Sequence, residues 1–317
     1  MRGINGVHHI TAIAGPAQEN LDFYAGVLGM RLVKRSVNQD DPGTYHLFYA
    51  DAQGRPGSDL TFFPWSQPSP PRAGYGLAME VALEIPMGSL VFWGTRLERY
   101  GVHLGHVETR FGQRVLPLVD PHGLHVALVE SGAARGFTPW SESPVSADHQ
   151  VRGLFGAQIW ELEASATVNF LNTVLGFARL AEEHGWTRFG VPNSPGVVDV
   201  REAPDARRGA WGVGAVHHLA WRVDDEAHQL EVRARVEASG AHATAVIDRF
   251  WFKSVYFKEP GGVLFELATD GPGFAVDEDP AHLGETLVLP PWLEPTRQAI
   301  EDVLPPLATN AARYRES

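Results

Sequence analysis

The stretch NLDFYAGVLG, residues 20–29, has a near-copy, TVNFLNTVLG, that begins 147 positions later at residue 167. Apolar residues recur in both stretches at the spacing of a helix face, and each stretch ends in the glycine that is typical of a helix C-terminus. In the segment before the first copy, Val7 to Ala14, apolar residues alternate with other residues, which predicts a strand. An internal repeat of this kind predicts a protein built from copies of one supersecondary unit.

Three short strands are expected after the first helix, over Arg31–Val37, Tyr45–Tyr49 and Leu60–Phe63. Turn-forming residues separate them, at Asp41-Pro42-Gly43 and at Gly54-Arg55-Pro56-Gly57. The repeated unit is therefore predicted to be βαβββ.

A second repeat, with an offset of 139 positions, relates two later parts of the chain. Its matched positions are Tyr100-Gly101 with Ser239-Gly240, Arg110-Phe111 with Arg249-Phe250, Pro121 with Pro260, and Gly123 with Gly262. Each part reads as a strand, a helix and further strands. The chain is thus predicted to be an α+β protein of four βαβββ modules, over residues 5–66, 74–131, 152–204 and 212–270.

The stretch 133–148 is rich in Ser, Gly and Pro and is the expected linker between two halves. Residues 1–132 would hold two modules and residues 149–270 the other two. Residues 271–317 are interpreted as a C-terminal cover segment with one helix near Thr296–Val303, which Pro305 and Pro306 would end.

Composition excludes several classes of function. The 317 residues include no cysteine, which excludes disulfides, Cys-zinc sites, iron–sulfur clusters and thiol nucleophiles. Lys and Arg number 26 against 38 Asp and Glu, a net charge of −12, so no global basic surface for nucleic acid is expected. No apolar segment reaches the length of a membrane span, and the N-terminus lacks the apolar core of a signal peptide. A cytoplasmic protein without a membrane partner is expected.

Comparison of the modules isolates candidate metal ligands. The first strand of module one carries His8-His9, and the first strand of module four carries His217-His218. The repeat offsets place Gly156 opposite His9 and Met79 opposite His218.

The same offset places Ala127 opposite Glu266, a carboxylate in an otherwise apolar final strand. Burying a carboxylate there is unfavourable unless it is paired or bound to a metal. Modules two and three are therefore expected to lack ligands, and the chain to hold one set, His9, His218 and Glu266.

Two imidazoles and one carboxylate form the facial triad of non-haem Fe(II) oxygenases, which leaves open positions for substrate and O2. His, Asp and Glu ligands also suit Mn, Zn, Ni or Co. A single His-His pair in a strand more often places one histidine in the core and exposes the other than binds a metal. Two such pairs on equivalent strands favour metal binding. His46 is expected to pack in the core, with a place in a pocket wall as the alternative.

At these residues the chain resembles the vicinal oxygen chelate superfamily, which includes glyoxalase I, fosfomycin-resistance proteins and type I extradiol dioxygenases. Further motifs resemble the hydroquinone-type ring-cleaving dioxygenases, a family that includes 2,6-dichlorohydroquinone 1,2-dioxygenase. These motifs are Gly6–Thr11, Tyr45–Asp51, Thr109–Arg114 and Pro260–Glu266. The resemblance runs from about Gly6 to beyond Asp279.

The resemblance implies glyoxalase-like half-barrels and an Fe(II)-dependent dioxygenase that uses O2 to open the ring of hydroquinones, chlorinated or otherwise substituted ones included. It places the metal on His9, His218 and Glu266, and substrate or supporting roles on His8, Thr11, His217, Arg249 and Tyr256. One departure is that Gly153-Leu154-Phe155-Gly156 stands where relatives carry a histidine motif in module three. That histidine is not among the expected ligands, so the departure bears on substrate shape.

Several roles stay open at this point. Arg249 could stabilise an anion or form a structural salt bridge, since Arg110 occupies the equivalent place in module two. Tyr256 could bond the substrate or lie at the rim. Strand alternation turns His8 and His217 away from the ligand face, so support of the ligands is favoured over acid–base work. The aromatics near the metal strands are core or pocket wall: Trp211, Phe250, Trp251 and Phe252.

Two rival functions remain. One is a glyoxalase-like lyase or isomerase, which would favour Zn or Ni. The other is a metal-free protein that binds aromatic compounds. The expected partners are a small aromatic molecule and O2, with no nucleic acid, and the oligomeric state, a homo-oligomer included, is left open.

Overall fold

In the computed structural model of the protein, both repeated stretches form a short α-helix that continues into a π-helical turn. A glycine with positive φ ends each of them, Gly29 at +70° and Gly176 at +83°, in the left-handed region that strains other residues. The predicted helix and its glycine stop are confirmed. The structure describes residues 2–65, 69–133, 135–192, 194, 196–308 and 314.

Four βαβββ modules follow one another along the chain. Module one contains β1 (Val7–Ala14), α1 (Ala17–Leu21) with the π-helical turn Asp22–Val27, β2 (Arg31–Asn38), β3 (Asp41–Ala50) and β4 (Asp59–Pro64). Module two contains β5 (Leu77–Pro86), α2 (Leu90–Arg99), β6 (His103–Leu104), β7 (Glu108–Arg110), β8 (Gln113–Val119) and β9 (His125–Ser131). Its short β6 and β7 both pair with β8.

The second half of the chain repeats the order. Module three contains β10 (Gly153–Glu161), α3 (Ser165–Phe170) with the π-helical turn Leu171–Leu175, β11 (Ala178–Glu183), β12 (Trp186–Gly190) and β13 (Val197–Glu202). Module four contains β14 (Val216–Val223), α4 (Glu226–Ala238), β15 (Ile247–Asp248), β16 (Lys253–Lys258) and β17 (Leu264–Thr269).

The strands form two half-barrel-like sheets. One has the order β15-β16-β17-β14-β1-β4-β3-β2, and the other has the order β11-β12-β13-β10-β5-β9-β8-β6. The first sheet therefore joins module one to module four, and the second joins module two to module three. The expected division between residues 132 and 149 separates modules one and two from modules three and four along the chain. Each sheet nevertheless contains one module from each half of the chain.

One predicted turn is wrong. Residues 41–43 belong to strand β3, and the turn lies at Gln39 and Asp40, between Asn38 and Asp41, which pair. The register shifts between Val37 and Asn38, which leaves the residues around Pro42 outside the regular ladder. Proline has no N–H to donate, so such an irregular strand end accommodates it.

The C-terminal segment packs on the outer strand β2. Buried Lys34 donates to the backbone oxygen of Phe274 at 2.9 Å, to Asp277 at 2.7 Å and to Glu278. The segment then forms short 3-10 turns and α5 (Arg297–Val303), close to the predicted helix. Within the described residues, none of the helices combines the length and apolar character of a membrane span.

Candidate metal centre and active site

Strands β1 and β14 pair antiparallel at the centre of the first sheet, and each carries a bulge at a histidine doublet. His8 falls between the paired residues Val7 and His9, and His217 falls between Val216 and His218. A bulge re-aims the side chain of its extra residue, and here the two rings of each doublet meet. Simple alternation, which would turn His8 and His217 away from the ligand face, does not hold at these positions.

The bulged doublets bring three ligand-type atoms together. Nε2 of His9 lies 3.2 Å from Nε2 of His218 and 3.4 Å from Oε2 of Glu266, and Nε2 of His218 lies 3.0 Å from the same oxygen. All three side chains are buried. Two ligands held about 2.1 Å from one ion at a right angle would lie about 3.0 Å apart. The three atoms can therefore share one ion.

The carboxylate oxygen at the centre of this cluster is suited to bind a cation. Oε2 of Glu266 is buried and has no hydrogen-bond partner among the described residues, whereas Oε1 accepts from Ser254 at 2.5 Å. Burial alone would raise the pKa of Glu266, but the neighbouring imidazoles of His9 and His218 hold that pKa well below its usual range. The site thus favours an ionised carboxylate beside two imidazoles.

A hydrogen-bond chain sets the tautomer of His9. Nε2 of His8 lies 3.1 Å from the carbonyl oxygen of Thr269, which can only accept. Burial lowers the pKa of His8 to about 3, so the ring is neutral and its Nδ1 must accept. Nδ1 of His9, 2.9 Å away, is then the donor, which leaves the lone pair of His9 Nε2 directed at the cluster.

The second doublet repeats this contact. Nδ1 of His217 lies 2.8 Å from Nδ1 of His218, and burial lowers the pKa of His217 to about 3. The indole of Trp211 stacks on His217 with ring centroids 4.5 Å apart. His8 and His217 are thus placed to support the two candidate ligands rather than to bind an ion themselves.

The ligand atoms face a narrow pocket of about 40 Å³. Its lining is aromatic and polar, namely His9, Asn38, Gln39, Asp40, His46, Phe48, Phe63, His218, Arg249, Trp251, Phe252 and Tyr256. A cavity of about 150 Å³ accepts a benzene ring, so a ring can enter only if some of these side chains move aside. Trp251 and Phe252, expected as core or pocket wall, line this space, and Phe250 and Trp211 do not.

Arg249 and Tyr256 meet at one side of the pocket. The guanidinium of Arg249 donates to the carboxylate of Asp40 at 2.8 and 3.2 Å and lies 5.6 Å from the centre of the Tyr256 ring. Arg249 therefore forms a salt bridge, one of the two roles expected from the sequence, and it also lines the pocket. Burial and the charge of Glu266 raise the pKa of Tyr256, so its hydroxyl is a neutral donor.

Thr11 belongs to a buried hydrogen-bond chain that ends in the pocket. Its hydroxyl lies 2.7 Å from that of Thr61, which lies 2.9 Å from Nε2 of His46. Burial, and then the charges of His9 and His218, keep the pKa of His46 well below its usual range. His46 is a pocket residue, the alternative that the sequence left open.

Sequence reasoning did not find Ser254 or Thr61. Ser254 shares the strand face of Tyr256, two residues away, and Tyr256 pairs with Glu266 across the β16–β17 hairpin. The diagonal neighbour of a ligand on a paired strand is within reach of it. That register was the available signal for Ser254.

The second sheet carries a different set of groups at the equivalent place. Thr11 of the first sheet corresponds to Gln158 of the second. Thr11 pairs with His218, and Gln158 pairs with Glu80. The residue that matches His218 is therefore Glu80 and not Met79. The expected match with Met79 is wrong because the offset between these two strands is 138 and not 139: Met79 and His217 are the bulged residues, and Glu80 and His218 are the residues that follow them. Glu80 binds Arg110, and Arg188 binds Asp199 with a 2.7 Å contact. Among the described residues, His9, His218 and Glu266 form the one cluster of three metal-type ligands.

Comparison with known proteins agrees with this fold. Residues 6–127 and 159–267 match the family model described as Glyoxalase/Bleomycin resistance protein/Dioxygenase superfamily. The chain is 42% identical over 302 residues to a Bacillus subtilis (strain 168) protein named "Putative ring-cleaving dioxygenase MhqO", with 95% of this chain and 96% of that protein covered.

Two further proteins are similar over nearly their whole length. The Chlorohydroquinone/hydroquinone 1,2-dioxygenase of Sphingobium indicum is 33% identical, with 92% of this chain and 93% of that protein covered. A crystal structure described as a "putative dioxygenase" from Bacillus subtilis superimposes with a TM-score of 0.91 at 40% identity, and covers 98% of this chain and 99% of its own.

Proposed function

The chain belongs to the Glyoxalase/Bleomycin resistance protein/Dioxygenase superfamily, and from this premise we propose that it is an Fe(II)-dependent, extradiol-type ring-cleaving dioxygenase of hydroquinones. The observation that carries the proposal is the buried cluster of His9, His218 and Glu266 at the end of an aromatic pocket. Two His and one carboxylate are the ligand set of non-haem Fe(II) oxygenases. The relative that is 33% identical is named for hydroquinone cleavage.

An Fe(II) ion held by these residues would supply the position at which the deprotonated substrate and O2 are brought together. His8 fixes the tautomer of His9, and His8 and His217 each hold the orientation of the ligand ring beside them. Ser254 holds Oε1 of Glu266, which leaves Oε2 as the oxygen that would bind the ion. These contacts preorganise the site before substrate arrives.

Arg249 and Tyr256 are proposed to act on the substrate. The guanidinium of Arg249 provides a fixed positive charge beside negative charge that develops during ring opening. The neutral hydroxyl of Tyr256 donates a hydrogen bond to a substrate oxygen. Thr11 acts at a distance, through Thr61 and His46. Cleavage beside a hydroxyl-bearing carbon with incorporation of both atoms of O2 converts hydroquinone into a hydroxymuconic semialdehyde.

Oxygen consumption tests the reaction. Protein purified without oxygen and reloaded with Fe(II) is expected to consume one O2 for each hydroquinone ring opened, with faster turnover of hydroquinone or chlorohydroquinone than of catechol. An oxygen electrode and mass analysis of the product measure both. Equal activity with Zn and no oxygen consumption would instead support a lyase of the same fold.

Metal content tests the ligands independently of activity. His9→Ala and Glu266→Ala are expected to lose iron after reloading and dialysis, because each removes one of three ligands and ligand loss weakens metal sites strongly. His125→Ala, which changes an exposed histidine on β9 in the other sheet, is expected to retain it. Full iron content in His9→Ala and Glu266→Ala would contradict the ligand assignment.

A further inference from the structure

His46 lies in the pocket wall and is not one of the three candidate ligands. Its ring packs against Phe48 and Phe63 in tilted arrangements, with centroids 3.8 and 4.4 Å away. Nε2 is held by Thr61 at 2.9 Å, and Thr61 is held in turn by Thr11. The two aromatic contacts and the hydrogen bond fix the ring in one orientation.

The other ring nitrogen of His46, Nδ1, has no hydrogen-bond partner among the described residues. Three other polar side chains of the pocket form hydrogen bonds of their own. Gln39 donates to the backbone oxygen of Arg249, Asp40 accepts from the Arg249 guanidinium, and Asn38 accepts from the backbone N–H of Asp40. A free imidazole nitrogen in an aromatic wall is a ready partner for one polar group of a ligand.

A hydroquinone carries two hydroxyls at opposite ends of its ring. If one binds at the ligand cluster, as the proposed function requires, the other enters a space walled by Phe48, Phe63 and Phe252. A hydroxyl buried without a partner there would weaken binding. A phenol hydroxyl both donates and accepts, so it can bond Nδ1 in either tautomer of His46.

We propose that His46 is a specificity-determining residue, which binds the distal hydroxyl of the hydroquinone and so selects rings with a second hydroxyl opposite the first. This inference rests on the proposed function. Thr61 and Thr11 are positioning residues in it, because they hold His46 and do not reach the substrate.

The test is binding to zinc-loaded protein, which allows affinity to be measured without turnover, by quenching of tryptophan fluorescence. The wild-type protein is expected to bind hydroquinone at least about tenfold more tightly than phenol, the analogue without the second hydroxyl. His46→Phe keeps an aromatic ring between its neighbours and is expected to abolish this preference with little change for phenol. His46→Gln, which can still donate and accept, is expected to restore part of it.

Three results would overturn the inference. They are a wild-type protein that binds both compounds equally, a His46→Phe variant that keeps the preference, and a His46→Gln variant that binds hydroquinone no better than His46→Phe. The wild-type comparison remains decisive if a variant does not fold. Absence of oxygen consumption with every hydroquinone would reject the proposed function separately, because the binding preference is measured without O2.

Discussion

A single hydroxyl orients the carboxylate of the candidate metal centre. Ser254 is fully buried and donates to Oε1 of Glu266 at 2.5 Å, while Oε2 faces the two histidines. Without this bond the carboxylate could rotate about its last torsion, since nothing else among the described residues is bonded to Oε1. Partners of this kind often matter to a metal site nearly as much as the ligands do.

Replacing Ser254 with alanine is therefore expected to weaken metal binding about 10- to 100-fold, the usual effect of losing an outer partner. Ser254→Thr, which keeps the hydroxyl, is the matched variant and is expected to lose less. Competition with a chelator of known affinity measures the dissociation constant. An unchanged constant in Ser254→Ala would show that the bond does not orient the ligand.

At the scale of the element, the strands were predictable and the bulges were not. The apolar alternation of Val7–Ala14 and the Pro-Gly turn before β17 follow from rules that act along the chain. A bulge depends on how one strand pairs with another, which no local pattern of His8-His9 or Met79-Glu80 records. The ligand trio was predictable because two histidine doublets and one carboxylate in an apolar strand stand out in the sequence. The contacts of His8, Ser254 and His46 were not predictable.

The outer strand β2 holds the C-terminal segment through one buried cation. Lys34 has no exposed side-chain area, and the side chains of Asp277 and Glu278 are 18% and 8% exposed. Asp277 also accepts from the indole N–H of Trp251, a pocket residue. The ion pairs therefore tie the pocket wall to the C-terminal segment.

Lys34→Met is expected to destabilise the protein by about 3 kcal/mol or more, because it leaves two carboxylates partly buried without their cation. The triple variant Lys34→Met, Asp277→Asn, Glu278→Gln removes those charges as well and is expected to recover part of the loss. Urea unfolding measures both. A free energy of unfolding that does not change in Lys34→Met would show that the ion pairs contribute nothing.

At the scale of the whole molecule, two buried carboxyl groups meet where the sheets adjoin. Glu161 ends β10 of one sheet, and neither of its carboxyl oxygens has a partner among the described residues. Glu259, before β17 of the other sheet, accepts from Thr167 at 2.6 Å and from two backbone N–H groups. A Cβ at Gly261 would overlap the Glu161 carboxyl, so the contact leaves no room there.

Burial and the charge of Glu259 raise the pKa of Glu161 in the folded protein. The folded state then holds this proton more tightly than the unfolded state, so the contribution of Glu161 to stability is greatest in acid and is lost as pH rises past the ordinary range of a glutamic acid. Between about pH 5 and pH 9, the melting temperature of Glu161→Gln is expected to fall less than that of the wild-type protein. Exposed Glu98→Gln is the control and should follow wild type. A Glu161→Gln profile that also follows wild type would reject this role for the proton.

The pairing of β1 with β14 has a consequence for synthesis on the ribosome. A nascent chain that has emerged as far as residue 149 has delivered His9 alone, because His218 and Glu266 belong to the last module, and β1 still lacks its central neighbour. Binding of a cation by these three residues, as proposed, would therefore follow synthesis of the last module. If the chain were cut near residue 149 and the two fragments expressed separately, each fragment would hold only half of each sheet. The two fragments would have to associate before either sheet could form completely.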